Sequence, residues 1–199
     1  QALAAGRFRV IGQLLDTYIL CEGEEGLVAV DQHAAQERLI FERLKKEFGA
    51  GRVTGQTLLF PKTMELGAEE IAILEGSAEE IARMGIDIRE FGGNTYVLKA
   101  VPAVMGRVPP EEILRGVFDQ FAGAAGGRDR GDAARRLDNI LSGMACKAAI
   151  KARQSLSIAE MKSLLDEMVK NDVFSHCPHG RPVVRKFPVS EIKRWFHRT

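Results

Sequence analysis

Cysteine is scarce in this 199-residue chain, and the three present are odd in number and widely spaced. That excludes the disulfide framework of a small secreted domain and predicts reduced thiols in a cytosolic setting. No run approaches the ~18 consecutive apolar residues of a membrane-spanning helix, so no membrane association is expected. No charged-then-apolar leader marks the chain for export, and the expected location is the cytoplasm. The first residue is not methionine, so the chain reads as a fragment or a processed product. Neither charge is in excess: 28 Lys and Arg stand against 27 Asp and Glu, which excludes a uniformly basic nucleic-acid coat but not a local basic face. Internal repeats and a glycine-rich phosphate loop are also lacking.

What is present is ordinary globular composition, with 45% hydrophobic residues, enough for one core or two small lobes burying roughly 70% of the unfolded surface. The chain opens as strand, turn and strand over Phe8 to Leu20 and Leu27 to Val30. From Gln32 the period changes: His33, Glu37, Phe41, Leu44 and Phe48 fall on one face of a helix fed by a strand ending at Asp31. Gln56 to Pro61 reads as extended and stopped by proline. Residues 65–84 read as one or two short acidic helices, followed by a hairpin around Gly92-Gly93-Asn94. A helix starts at Pro109-Pro110 and runs to about Phe121, Gly123 to Gly131 reads as a linker, and Asp132 to Lys151 as a helix. Ser157 should cap another helix. Residues 62–92 hold eight acidic against three basic side chains, whereas His176 to Thr199 holds six Lys or Arg against one Glu. The expected architecture is therefore α/β (α+β) and two-lobed: a discontinuous lobe of residues 1–61 and 131–199, with residues 62–130 inserted as a second lobe. A continuous single domain is the alternative.

Two stretches carry chemistry. His33 and Glu37, at i and i+4, share a helix face, and Asp31 sits where that helix leaves its strand, so three potential metal ligands can converge. Glu37 also lies beside an apolar stripe, where a carboxylate needs a partner. The alternative is a capping Asp, a surface His and a Glu paired with a nearby base. The second stretch, Cys177-Pro178-His179-Gly180-Arg181-Pro182, is a stiff loop able to offer a thiolate and an imidazole to one ion. Cys146 reads either as a small buried helix thiol or as a further ligand, and a catalytic Cys-His pair using Cys177 or Cys146 is the remaining option.

These stretches resemble, in order, the motifs of one family: the C-terminal domain of bacterial MutL DNA mismatch-repair proteins of the type with endonuclease activity. Asp31-Gln32-His33-Ala34, with Glu37 and Glu42, is similar to its DQHA(X)2E(X)4E signature; Ala145-Cys146-Lys147 resembles Ala-Cys-Arg, with Lys in place of Arg; Cys177 to Pro182 and Phe196-His197-Arg198 match two further motifs. The resemblance implies a dimerisation lobe made from both chain ends with a regulatory lobe inserted, and an ATP-using domain N-terminal to the present sequence. It implies metal ligation by Asp31, His33, Glu37, Cys146, Cys177 and His179, with Zn2+ on the Cys and His ligands and Mn2+ linked to nicking. Asp31, His33, Glu37, Arg181 and Arg198 would serve catalysis, Arg181, Lys147 and Arg198 as candidates for phosphate contact and Arg198 acting across a homodimer. Gln56, Leu58, Leu59, Phe60 and Pro61 resemble the segment that binds the replication sliding clamp, the alternative being a plain edge strand. The function so implied is metal-dependent nicking of duplex DNA, bound weakly and without sequence preference, alongside the mismatch-recognition protein MutS. A non-catalytic dimerisation module with structural zinc is the competing reading.

Overall fold

A computed structural model of the chain describes residues 8–126, 133–149 and 154–198. In chain order the strands are β1 (Arg9–Leu14), β2 (Tyr18–Gly23), β3 (Gly26–Asp31), β4 (Gly55–Glu65), β5 (Asp87–Gly92), β6 (Thr95–Pro102) and β7 (Val184–Pro188). The helices are α1 (Gln32–Gly49), α2 (Ala68–Gly76), α3 (Ala78–Arg83), α4 (Pro110–Gly126), α5 (Ala133–Ala148), α6 (Ile158–Lys170) and α7 (Val189–Trp195). The result is a mixed α/β fold with two separate antiparallel sheets. Its residues group into two compact units, Gln1–Leu39 with Ala149–Thr199, and Ile40–Ala148. Among the described residues no helix is long and apolar enough to cross a membrane.

The first unit is built on a sheet of order β1-β2-β3-β7. Strand alternation sends Ile19 and Cys21 of β2, and Val28 and Val30 of β3, into a core with Ala34, Ala35 and Leu39 of α1. Met161, Leu164, Leu165 and Met168 of α6 complete it at helical spacing. Helix α6 starts where the sequence expects, because Ser157 Oγ accepts the Glu160 N–H at 3.3 Å while Glu160 Oε2 accepts the Ser157 N–H at 2.8 Å. The unit's last strand, β7, pairs with β3 through registers such as Val28 with Lys186.

The second unit carries the sheet β4-β6-β5 and a core to which Leu44, Phe48, Leu98, Leu114, Phe118, Ile140 and Leu141 contribute. Here β4 does not stop at Pro61. Its pairing with β6 is interrupted between Thr57 and Lys62 and resumes to Glu65, and a proline sits comfortably in that bulge because its missing N–H is not needed there. Helix α4 likewise runs past Phe121 to Gly126. The rest of the expected glycine linker, to Gly131, lies outside the described residues.

Candidate metal centre

Strand β3 delivers the chain directly into α1, and the junction is fastened by Asp31. Its Oδ1 accepts the backbone N–H of both His33 and Ala34 at 3.0 Å, two of the donors that a helix start leaves unsatisfied. One turn on, Glu37 is buried to 1% exposure. The ligating atoms of His33 and Glu37 lie within 4.8 Å of one another, as expected of i,i+4 neighbours.

The second half of the site comes from the loop before β7. Cys177 N–H donates to Arg181 O at 2.8 Å and Gly180 N–H to Cys177 O at 2.9 Å. The turn so closed needs a left-handed residue, and Gly180, at φ +81°, supplies it without strain. A bridge between His176 and Pro182 holds the loop's base. Cys177 is buried, and His179 Nδ1 lies 2.9 Å from Glu37 Oε1. Ligating atoms of Glu37, Cys177 and His179 all fall within 4.8 Å of each other. Burial pushes the Cys177 thiol above its ordinary pKa; backbone N–H groups of Arg181 and His179 oppose this, and the Glu37 carboxylate adds to it.

This donor set fits a divalent cation. Glu37 Oε2 is buried with no hydrogen-bond partner, an arrangement that costs free energy until something positive reaches it. A thiolate, an imidazole and a carboxylate together match zinc's preferences better than those of a hard, oxygen-seeking ion.

Asp31 does not join the Glu37–Cys177–His179 grouping; with Arg181 it lines an open groove of about 620 Å3 whose walls include Leu14, Tyr18, Phe187 and Trp195. Arg198 is exposed just beyond α7, its N–H bonded to Lys193 O at 3.0 Å. Cys146 is an exposed residue of α5, in the second unit, rather than a buried thiol. Gln56 pairs with Val101 of β6, and Leu58 to Pro61 fall in the irregular part of β4, where Leu58 packs on the core while Leu59 and Phe60 stand 87% and 76% exposed.

Sequence reasoning missed two features. The apolar groove gives no periodic signal, since an apolar strand residue left exposed reads like one that is buried. Gln32 is fully buried, although a glutamine at a helix start reads as a surface residue.

Residues 11–156 match the family model described as the MutL C terminal dimerisation domain. The chain is 38% identical over 189 residues to the DNA mismatch repair protein MutL of Geobacter sulfurreducens, an alignment spanning 95% of this chain and 31% of that protein. It is 40% identical over 190 residues to the protein of the same name from Syntrophotalea carbinolica, covering 96% and 30%. The Xanthomonas oryzae protein of that name is 37% identical over 191 residues, covering 94% and 30%. The chain thus spans about a third of the length of the relatives it matches.

Proposed function

Because the chain belongs to the family of MutL C-terminal dimerisation domains, we propose that it is the self-associating, metal-binding portion of a DNA mismatch-repair protein. The observation that carries this is the convergence of Glu37, Cys177 and His179 from opposite ends of the chain, with one carboxylate oxygen left without a partner. In this reading the unit made from both chain ends is the dimerisation lobe, its groove of Leu14, Tyr18, Phe187 and Trp195 covered by a second copy in a homodimer. Residues 62–130, which fall within the unit Ile40–Ala148, form the inserted regulatory lobe. Zinc is the ion held by Glu37, Cys177 and His179, with His33 beside them.

Elemental analysis of the wild type and of Cys177→Ser with His179→Ala, combined with sedimentation, tests the proposal. Zinc should be present in the first and lost from the second, while both remain dimers. Equal zinc in the two, or a wild type that stays monomeric, would overturn it.

A second reading is favoured by the buried Glu37 oxygen that has no hydrogen-bond partner, a hard donor available to a further divalent ion. In this reading the domain nicks one strand of duplex DNA with manganese, the ion supplying charge to the phosphoryl oxygens and a more acidic water. Asp31 and Glu37 offer hard carboxylate ligands, and Arg181 and Arg198 contact phosphate. A net charge of +1 gives only weak, sequence-independent affinity for DNA. The sliding clamp, docked on Gln56, Leu58, Leu59, Phe60 and Pro61, and MutS would bring the domain to its substrate. Relaxation of supercoiled plasmid by the wild type with manganese, abolished in Asp31→Asn, is the expected result; a wild type that never nicks removes this reading and leaves the first intact.

A further inference from the structure

The start of α1 is tied to the β1–β2 turn by a buried amide. Gln32 Nε2 donates to Asp16 O at 2.7 Å and to Gln154 O at 3.0 Å, and its Oε1 accepts from Gln13 Nε2 at 2.5 Å. Both amide protons and the amide oxygen are therefore engaged. The Gln32 backbone N–H adds a bond to Thr17 O at 3.1 Å. Gln13 extends the set, its Nε2 reaching Gln154 O at 2.9 Å and its Oε1 accepting the Leu156 N–H at 3.0 Å.

The turn so held is a strained one. Leu15 and Asp16 have φ of 54° and 49°, and Thr17 N–H donates to Leu14 O at 3.1 Å, the type I′ pattern that favours Asn and Gly. Aspartate tolerates this region; leucine does not, and such a residue persists only where its surroundings over-determine it. Here two consecutive carbonyls, of Asp16 and Thr17, are both gripped by Gln32. The same turn presents Leu14, Leu15 and Tyr18 to solvent, Leu15 at 75% exposure, and Leu14 and Tyr18 belong to the apolar groove. On the other side of Gln32, Asp31 caps α1 and Glu37 follows within two turns.

We infer that Gln32 is a positioning residue that couples the self-association surface to the metal pocket. A second copy seated on Leu14, Leu15 and Tyr18 fixes the turn, the turn fixes the Gln32 amide, and the amide fixes the first turns of α1 from which Glu37 projects. This rests on the dimer and zinc site proposed above. Linkage makes the effect reciprocal: if dimerisation tightens each zinc site by some factor, zinc on both protomers tightens the dimer by that factor squared.

The test uses the whole chain. Zinc affinity is measured by competition with a chromophoric chelator at protein concentrations below and above the dimer dissociation constant, and that constant is measured by sedimentation with and without zinc. In the wild type zinc affinity should strengthen about ten-fold per site on dimerisation, and the dimer dissociation constant about a hundred-fold with zinc on both protomers. Gln32→Met keeps the length and removes every side-chain hydrogen bond; its coupling factor should fall to about one. Gln32→Met with Asp16→Gly eases the turn without altering its apolar side chains, so the melting temperature of the metal-free protein should recover while the coupling stays lost. A Gln32 that merely fills space would leave coupling intact in this stabilised variant, and that result would overturn the inference. So would a wild type in which zinc and dimerisation are indifferent to each other. Absence of zinc binding or of dimers altogether would instead overturn the underlying reading, and this inference with it.

Discussion

Glu37→Met should invert the order of stability between wild type and variant when zinc is added. Without metal, the wild type buries a carboxylate with one oxygen unpartnered, and a polar atom so placed costs about 1–3 kcal/mol. Methionine fills a similar volume and removes that cost. It leaves His179 without its 2.9 Å partner, but at 42% side-chain exposure water can replace the contact. In chelator the variant should therefore melt higher, by about 2–4 °C if the net gain is about 1 kcal/mol in a chain of this size. With zinc at about a hundred times its dissociation constant, the wild type gains about 2.7 kcal/mol, or roughly 5–11 °C. The variant, deprived of a ligand, gains almost nothing. Differential scanning calorimetry in chelator and in zinc gives four melting temperatures, and the expected order reverses between conditions. Zinc raising both proteins equally would place the ion elsewhere. A variant destabilised in chelator would make Glu37 a structural ion-pair residue.

Asp31→Ala should cost about 1 kcal/mol in urea denaturation through loss of the α1 cap, and Asp31→Ser should recover most of it; equal stability of all three would remove the capping role. Glu47 has a lowered pKa: burial alone would raise it, but the Arg43 side chain at 2.8 Å and the Thr54 N–H at 2.8 Å prevail. A depressed carboxyl adds stability above its unfolded pKa and loses it as pH falls through the folded one, so Glu47→Gln should be about 1 kcal/mol less stable at pH 7 and indistinguishable once pH is below both values. A gap independent of pH would refute that assignment. Replacing Leu59 and Phe60 by Ser should change stability by less than about 0.5 kcal/mol, given their exposure, yet weaken binding to the sliding clamp in surface plasmon resonance; unchanged affinity would leave the segment an ordinary strand irregularity. Among the thiols, Cys146 should react first with a disulfide reagent and Cys21 last, since burial pushes the Cys21 thiol up to about 11; mass spectrometry of the partly labelled protein would reveal the opposite order.

Local pattern carried much of the fold into view. Alternation around Ile19 and Val28, the helical stripe of Phe41, Leu44 and Phe48, and the capping pair Ser157 and Glu160 are all short-range signals, and each corresponds to an observed element. Pro61 misled because a proline ends a strand only where the ladder needs its N–H, and a bulge removes that need. The meeting of Glu37 with Cys177 and His179 has no local signature: it depends on a contact across most of the chain, and only the family's motifs hinted at it. Gln32 was illegible for a different reason. Its partners are backbone carbonyls, which any residue can supply, so nothing in the side-chain pattern announces that a buried amide will be satisfied.

The pairing of β3 with β7 also sets an order of events during synthesis. About 150 residues separate Asp31 from Val184, whereas the core of residues 40–148 draws its partners from within itself. A nascent chain can therefore consolidate that middle portion while β3 still presents an unpaired edge, awaiting the synthesis of β7. Cys177 and His179 arrive with that strand. A nonsense codon anywhere between Ala149 and Cys177 would thus release a polypeptide with a folded middle, an open sheet edge prone to aggregate, and neither Cys177 nor His179 of the candidate metal centre, a product for quality-control proteases.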